Sequence, residues 1–134
     1  MANRRYSCIA LSNPKSPTNV GSIMRAAGCY GVNSVFYTGT RYDRAKDFIT
    51  DTKKVHQDIP LINIDDLRKI LPLGCTPVAV ELVEGARPLP EYTHPDRALY
   101  IFGPEDGSLD QEIRDWCTDV VYIPTHGCMN LAAT

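Results

Sequence analysis

The sequence predicts a single α/β domain built on a mainly parallel sheet. Short apolar runs alternate with helical patterns along the whole chain, the arrangement that gives strands joined by helical crossovers. One of these runs, Ala98 to Phe102, is apolar and contains aromatic residues, as suits a strand covered on both faces. Glycine or proline marks four strand ends, at Ser12-Asn13-Pro14, Glu84-Gly85, Gly103-Pro104 and Pro124-Thr125. Ligand sites of parallel sheets gather at such carboxyl ends. At 134 residues and 43% hydrophobic content, the chain fills one core and leaves no room for a second.

Taken in order, Tyr6 to Leu11 forms the first strand, ended by Ser12-Asn13-Pro14. Pro14 and Pro17 prohibit regular structure, and Thr18 or Asn19 is placed to cap the helix that follows. In that helix Val20, Ile23, Met24 and Ala27 fall on one side, at core-face spacing. Thr18, Ser22, Arg25 and Cys29 fall on the other, so Arg25 points toward solvent, a ligand or a second subunit. From the helical pattern alone it is a solvated residue. Gly28 and Gly31 mark the helix end, and Ser34 to Thr38 is the second strand.

Arg41 to Asp58 reads as a short helix and a loop, with basic and acidic residues mixed on a solvated face. Leu61 to Ile64 is a brief strand, and Asp65 caps a helix through Leu71 that Pro72 and Gly74 close. Thr76 to Val83 is the next strand, and Pro88 to Pro95 an extended connection. After the strand Ala98 to Phe102, Ser108 and Gln111 have capping-box spacing for a helix that turns Ile113 and Trp116 to the core. Asp119 to Ile123 is the last strand.

Composition excludes several classes. A net charge of -2 removes a strongly basic nucleic-acid footprint but not a local basic patch. The five cysteines, Cys8, Cys29, Cys75, Cys117 and Cys128, have no C-x-x-C and no regular spacing. They read as reduced, mostly buried thiols, which suits a cytoplasmic protein better than a disulfide framework. His126 and Cys128 lack a second ligand pair, so no metal is expected. The amino-terminal apolar run is too short for a signal peptide, and no segment is long enough to span a membrane. The nucleophile elbow, Walker loop, dinucleotide fingerprint and zincin signature are all missing.

Three short segments remain, each at a strand end or helix start. They are Asn19-Val20-Gly21-Ser22-Ile23-Met24-Arg25, then Phe102-Gly103-Pro104-Glu105-Asp106-Gly107, then Ile123-Pro124 followed by Met129-Asn130-Leu131. In this order they resemble the three motifs of the SpoU (TrmH-like) branch of the SPOUT RNA methyltransferases, over nearly the whole chain. The resemblance implies a Rossmann-like, mainly parallel sheet with helices on both faces and a C-terminal trefoil knot, an exception to the rule that folds avoid knots. It implies one SpoU-type methyltransferase domain over residues 1–134, without the family's final C-terminal helix. It also implies a homodimer that moves a methyl group from S-adenosylmethionine to a ribose 2'-hydroxyl of tRNA or rRNA, with no metal and no membrane partner.

By the same resemblance, Arg25 stands at the reacting ribose with Asn19 supporting it, and Glu105 and Asn130 complete the catalytic set. The cofactor lies against Val80, Glu81, Gly103, Ile123, Thr125, Cys128, Met129 and Leu131. Arg25 is expected to orient and stabilise ribose or phosphate, because a guanidinium stays protonated and makes an awkward base. The chain departs from the family at Cys128, which takes a serine position, and in the short loop from Pro124 to Cys128. Two other readings stay open. One is a non-catalytic member of the same fold that binds S-adenosylmethionine or RNA. The other is an unrelated nucleotide-binding α/β protein.

Overall fold

The computed structural model describes residues 5–46, 59–69, 71, 74–83 and 85–124. Seven strands form one sheet: β1 (Tyr6–Leu11), β2 (Ser34–Tyr37), β3 (Leu61–Asn63), β4 (Thr76–Val80), β5 (Arg87–Pro88), β6 (Arg97–Phe102) and β7 (Asp119–Tyr122). Their order is β3-β2-β1-β6-β4-β7-β5, and every neighbouring pair is parallel. The helices are α1 (Pro17–Tyr30), α2 (Arg41–Lys46) and α3 (Gln111–Trp116). The expected carboxyl-terminal knot stays an expectation, since residues 125–134 lie outside the described residues.

The chain winds outward through β1, β2 and β3, crosses to β4, and then inserts β6 between β1 and β4. This insertion makes β6 central. Its register sets Phe102 beside Leu11 on one side and beside Val80 on the other, and Val80 pairs with Val121. Four strands therefore end abreast, and the loops leaving them share one edge of the sheet.

Alternation along β1 assigns the two faces. Leu11, with Val35 and Tyr37 of β2, packs on Val20, Ile23, Met24 and Ala27 of α1. Cys8 and Ala10, with Leu99 and Ile101 of β6, pack on Leu67 and Leu109, joined by Ile113 and Trp116 of α3. Helices thus cover both faces, and Leu99 and Ile101 are wholly buried, as an apolar central strand requires. All four residues expected on the inner side of α1 are buried, while Thr18, Arg25 and Cys29 on the other side are exposed.

Several boundaries differ from the sequence reading, each for a local reason. The cap of α1 is Ser16, not Thr18 or Asn19: its hydroxyl accepts from the Asn19 amide at 3.2 Å. Pro17 then occupies the first helical turn, where a missing N–H costs nothing. Gly28 lies within α1, which runs on to Tyr30 and ends at Gly31. The expected helix from Asp65 to Leu71 is, among the described residues, one 3₁₀ turn, Leu67–Lys69. Asp66 rather than Asp65 holds it, accepting from the Arg68 amide at 2.9 Å. The strand expected through Val83 stops at Val80, and Leu82 is exposed. The extended passage from Pro88 contains the end of edge strand β5 and a 3₁₀ turn, Leu89–Glu91. The capping box at Ser108 does not form: α3 starts three residues later, behind Asp110, with no side-chain cap.

Burial accounts for the thiols. Cys8 is fully buried and Cys117 half-buried, and desolvation pushes both thiols up to about 12, so they stay protonated and inert near neutral pH. Cys75 is buried too, Cys29 is exposed, and all four are free. Among the described residues, no helix is long and apolar enough to cross a membrane.

Leu99 tests the weight of the central strand. Leu99→Ala removes a side chain with no solvent exposure and is expected to lower stability by about 2–5 kcal/mol, read as a shift of the urea midpoint at constant slope.

Candidate active site

The shared edge is organised by carboxylates that accept backbone hydrogens from other loops. Glu105, in the loop after β6, reaches back to the start of α1. One of its oxygens accepts from the Lys15 amide at 2.9 Å and the other from the Ser16 amide at 3.2 Å. Burial alone would raise its carboxyl, but bonds from its own amide, from Lys15 and Ser16 and from the Asn19 side chain outweigh that and hold it below the ordinary value of 4.5. A carboxylate held this way fixes backbone and is a poor proton acceptor.

Glu81, just past β4, makes the matching tie from the other side: its carboxylate accepts from the Leu109 amide at 2.8 Å. That bond ties the amide next to Ser108 to the end of β4. Gly103 lies beneath this tie. A Cβ at Gly103 would meet the Leu109 nitrogen at 3.0 Å and the Ser108 carbonyl carbon at 3.2 Å, so a side chain there would force the returning loop to give by a few tenths of an ångström.

A third tie runs the other way along the edge. Arg41, at the start of α2, holds Asp106 with both terminal nitrogens, at 2.7 and 3.0 Å, and also donates to the Asn13 carbonyl at 2.6 Å. Asn13 has φ 48, the left-handed region, and its amide donates to the Thr38 hydroxyl at 3.0 Å. Gly39 packs against the Asn13 side chain closely enough that any Cβ there would collide with it. The Arg41 bonds, outweighing partial desolvation, hold the Asp106 carboxyl below its ordinary range.

These contacts place the sequence-derived residues. Asn19 and Glu105 are brought together, and Val80, Glu81, Gly103 and Ile123 line up along the ends of β4, β6 and β7. Val80, Glu81, Gly103 and Ile123 are all partly buried. Arg25 stands apart on the exposed side of α1. It is about 9 Å further along the axis than Asn19, and among the described residues it has no hydrogen-bond or ion-pair partner. Thr125, Cys128, Met129, Asn130 and Leu131, with His126, lie outside the described residues. Among the described residues, no group of three acidic, histidine or cysteine side chains is placed to hold a metal ion.

Sequence reasoning missed Asn13, Lys15, Ser16, Arg41 and Asp106. Asp106 stood inside a recognised motif, yet its partner is 65 residues away, and Lys15 and Ser16 contribute main-chain amides, which no side-chain pattern records.

Comparison with known proteins gives a consistent result. A family model described as the SpoU rRNA methylase family matches residues 6–134. By sequence comparison, no curated protein matches. Among solved structures, a TrmH/SpoU tRNA modifying enzyme of A. aeolicus is 17% identical, with a TM-score of 0.76 over 98% of this chain and 70% of that one. An AdoMet-bound rRNA methyltransferase from Sinorhizobium meliloti is 22% identical, with a TM-score of 0.75 over 98% of this chain and 53% of that one. A structure concerned with 2-OH methylation of C/U34 on tRNA is also 22% identical, with a TM-score of 0.72 over 96% of this chain and 88% of that one. These likenesses establish the fold. The chain spans little more than half the length of several proteins that share it.

The Glu105 tie predicts a pH dependence. Because its folded value is depressed, its stabilisation is complete above the unfolded value of about 4.5 and is lost as pH falls through the folded value. Glu105→Gln is expected to cost about 1–3 kcal/mol at neutral pH and to flatten the fall in stability below about pH 4.5. Urea titrations across that range measure both effects. Some slope remains, because Asp66 and Asp106 are depressed as well.

Proposed function

The chain belongs to the SpoU rRNA methylase family, and on that premise we propose that it is an S-adenosylmethionine-dependent RNA methyltransferase acting on a ribose 2'-hydroxyl of tRNA or rRNA. The observation that carries this reading is the tie between the first two motifs: Glu105 of the second holds the amides and the Asn19 side chain that open α1, the helix bearing Arg25. The relatives reported above, one bound to AdoMet and one concerned with tRNA 2-OH methylation, support the cofactor and the reaction.

The residues at the strand ends fit such a cofactor. Gly103 lets the Ser108–Leu109 backbone lie close against the strand end, which brings main-chain groups to the site, and Val80, Ile123 and the exposed Leu82 offer apolar surface suited to an adenine ring. Val80, Glu81, Gly103 and Ile123 would hold it, with Thr125, Cys128, Met129 and Leu131 closing the pocket by their place in the third motif. When bound, S-adenosylmethionine supplies an electrophilic methyl group on a positively charged sulfur.

The chain's own residues orient the acceptor. Transfer needs the ribose oxygen held in line with the methyl at near-attack distance. Arg25 is the cation suited to this positioning. It stays protonated, so it binds ribose or phosphate and stabilises developing charge rather than removing a proton. Asn19 and Glu105 fix the helix start beneath it, and Asn130 joins the same centre by its motif. Arg25 faces away from its own core, so it serves a site completed by a second copy of the chain, and the active form is a homodimer.

Incubation with methyl-labelled S-adenosylmethionine and total tRNA or rRNA tests the reading. Label is expected in 2'-O-methylated nucleosides after digestion; label confined to bases, or cofactor binding with no label in RNA, sinks it. Arg25→Ala should lower kcat by about a hundredfold or more. Its affinity for S-adenosylhomocysteine should stay within about twofold, as expected for an interaction made in the transition state.

A further inference from the structure

We infer that Arg41 is a positioning residue for this site, holding the Gly103–Asp110 loop against the loops that leave β1 and β2. The inference rests on the functional reading above, since the loop is one wall of the proposed cofactor pocket.

The anchor on which Arg41 stands is firm. The Tyr37 hydroxyl donates to Asp43 of α2 at 2.6 Å, and the Tyr37 and Tyr42 rings meet edge to face at 5.1 Å. The Asn63 side-chain Nδ2 at the end of β3 donates to the Gly39 carbonyl at 3.1 Å and to the Asp43 carboxylate at 3.3 Å. From this base the guanidinium reaches two other loops at once: Asp106 after β6 and the Asn13 carbonyl after β1. The planar fork meets the carboxylate with two parallel bonds, fixing direction as well as distance.

Two observations argue that this contact sets position rather than global stability. The pair is open to water, with 32% of the Arg41 side chain and 49% of the Asp106 side chain exposed, and exposed ion pairs add little to folding. Among the described residues the buried Arg41 Nε has no acceptor, and a desolvated donor works against stability. The loop itself is tied to other elements by Glu105 and Glu81. Asp106 lies between these ties, so Arg41 supplies the hold at the loop's outer end.

The decisive experiment compares wild type with Arg41→Ala, Arg41→Lys, Asp106→Asn and the double variant R41A/D106N. It reads amide hydrogen exchange at Gly107 and Leu109, S-adenosylhomocysteine affinity by calorimetry, and the melting midpoint. Each single variant is expected to speed loop exchange and weaken affinity by about tenfold, with the double no worse than either single, as for partners in one interaction. The melting midpoint is expected to move by no more than about a few degrees. Arg41→Lys is not expected to restore the loop, because an ammonium cannot make the fork. Unchanged exchange and affinity, or effects that add in the double variant, overturn the inference. A wild-type protein that binds no S-adenosylhomocysteine overturns the functional reading and this inference with it. A wild type that binds it, with variants that bind equally well, overturns the inference alone.

Discussion

One carboxylate shared between two backbone amides is the interaction on which the site depends. Glu105 leaves the end of the central strand and binds the Lys15 and Ser16 amides just where α1 begins. The first amides of a helix have no partner within the helix and carry a partial positive charge. A negative charge close to them is therefore stabilised, and the helix is fixed relative to the sheet. Because α1 carries Asn19 and Arg25, the position of both motif residues follows from this tie.

The architecture makes such a tie available. In an all-parallel sheet every strand delivers its outgoing loop to the same edge, and inserting β6 between β1 and β4 brings a late loop beside an early one. Stability and site geometry are then carried by different interactions. Leu99, Ile101, Val35 and Met24 lie in clusters that exclude water and hold the layers together. Glu81, Glu105 and Asp106 lie at the edge, partly wet, where hydrogen bonds contribute less energy but impose direction. Even Gly103 belongs to this second group: its lack of a side chain lets Leu109 fold back within reach of Glu81.

The elements that could be read from sequence were those whose cause is local. The apolar runs of β1, β2 and β6, and the inner face of α1 at Val20, Ile23, Met24 and Ala27, follow from residue spacing. Caps were harder. Ser16, Thr18 and Asn19 are all good capping residues, and Pro17 decides among them only once the helix start is known. Ser108 and Gln111 had capping-box spacing, but α3 begins only at Gln111, behind Asp110, so spacing alone did not place the helix start.

The sequence by itself determined the α/β class, the strands other than β5, helix α1, the outward face of Arg25 and the motif residues Asn19, Glu105 and Gly103, because periodicity, turn chemistry and motif order are properties of neighbouring residues. The tertiary structure alone decided which loops meet: that β6 is central, that Glu105 opens α1, and that Arg41 pairs with Asp106 across 65 residues of chain. Those contacts depend on strand order within the sheet, which is set by packing and chain crossover rather than by any local preference.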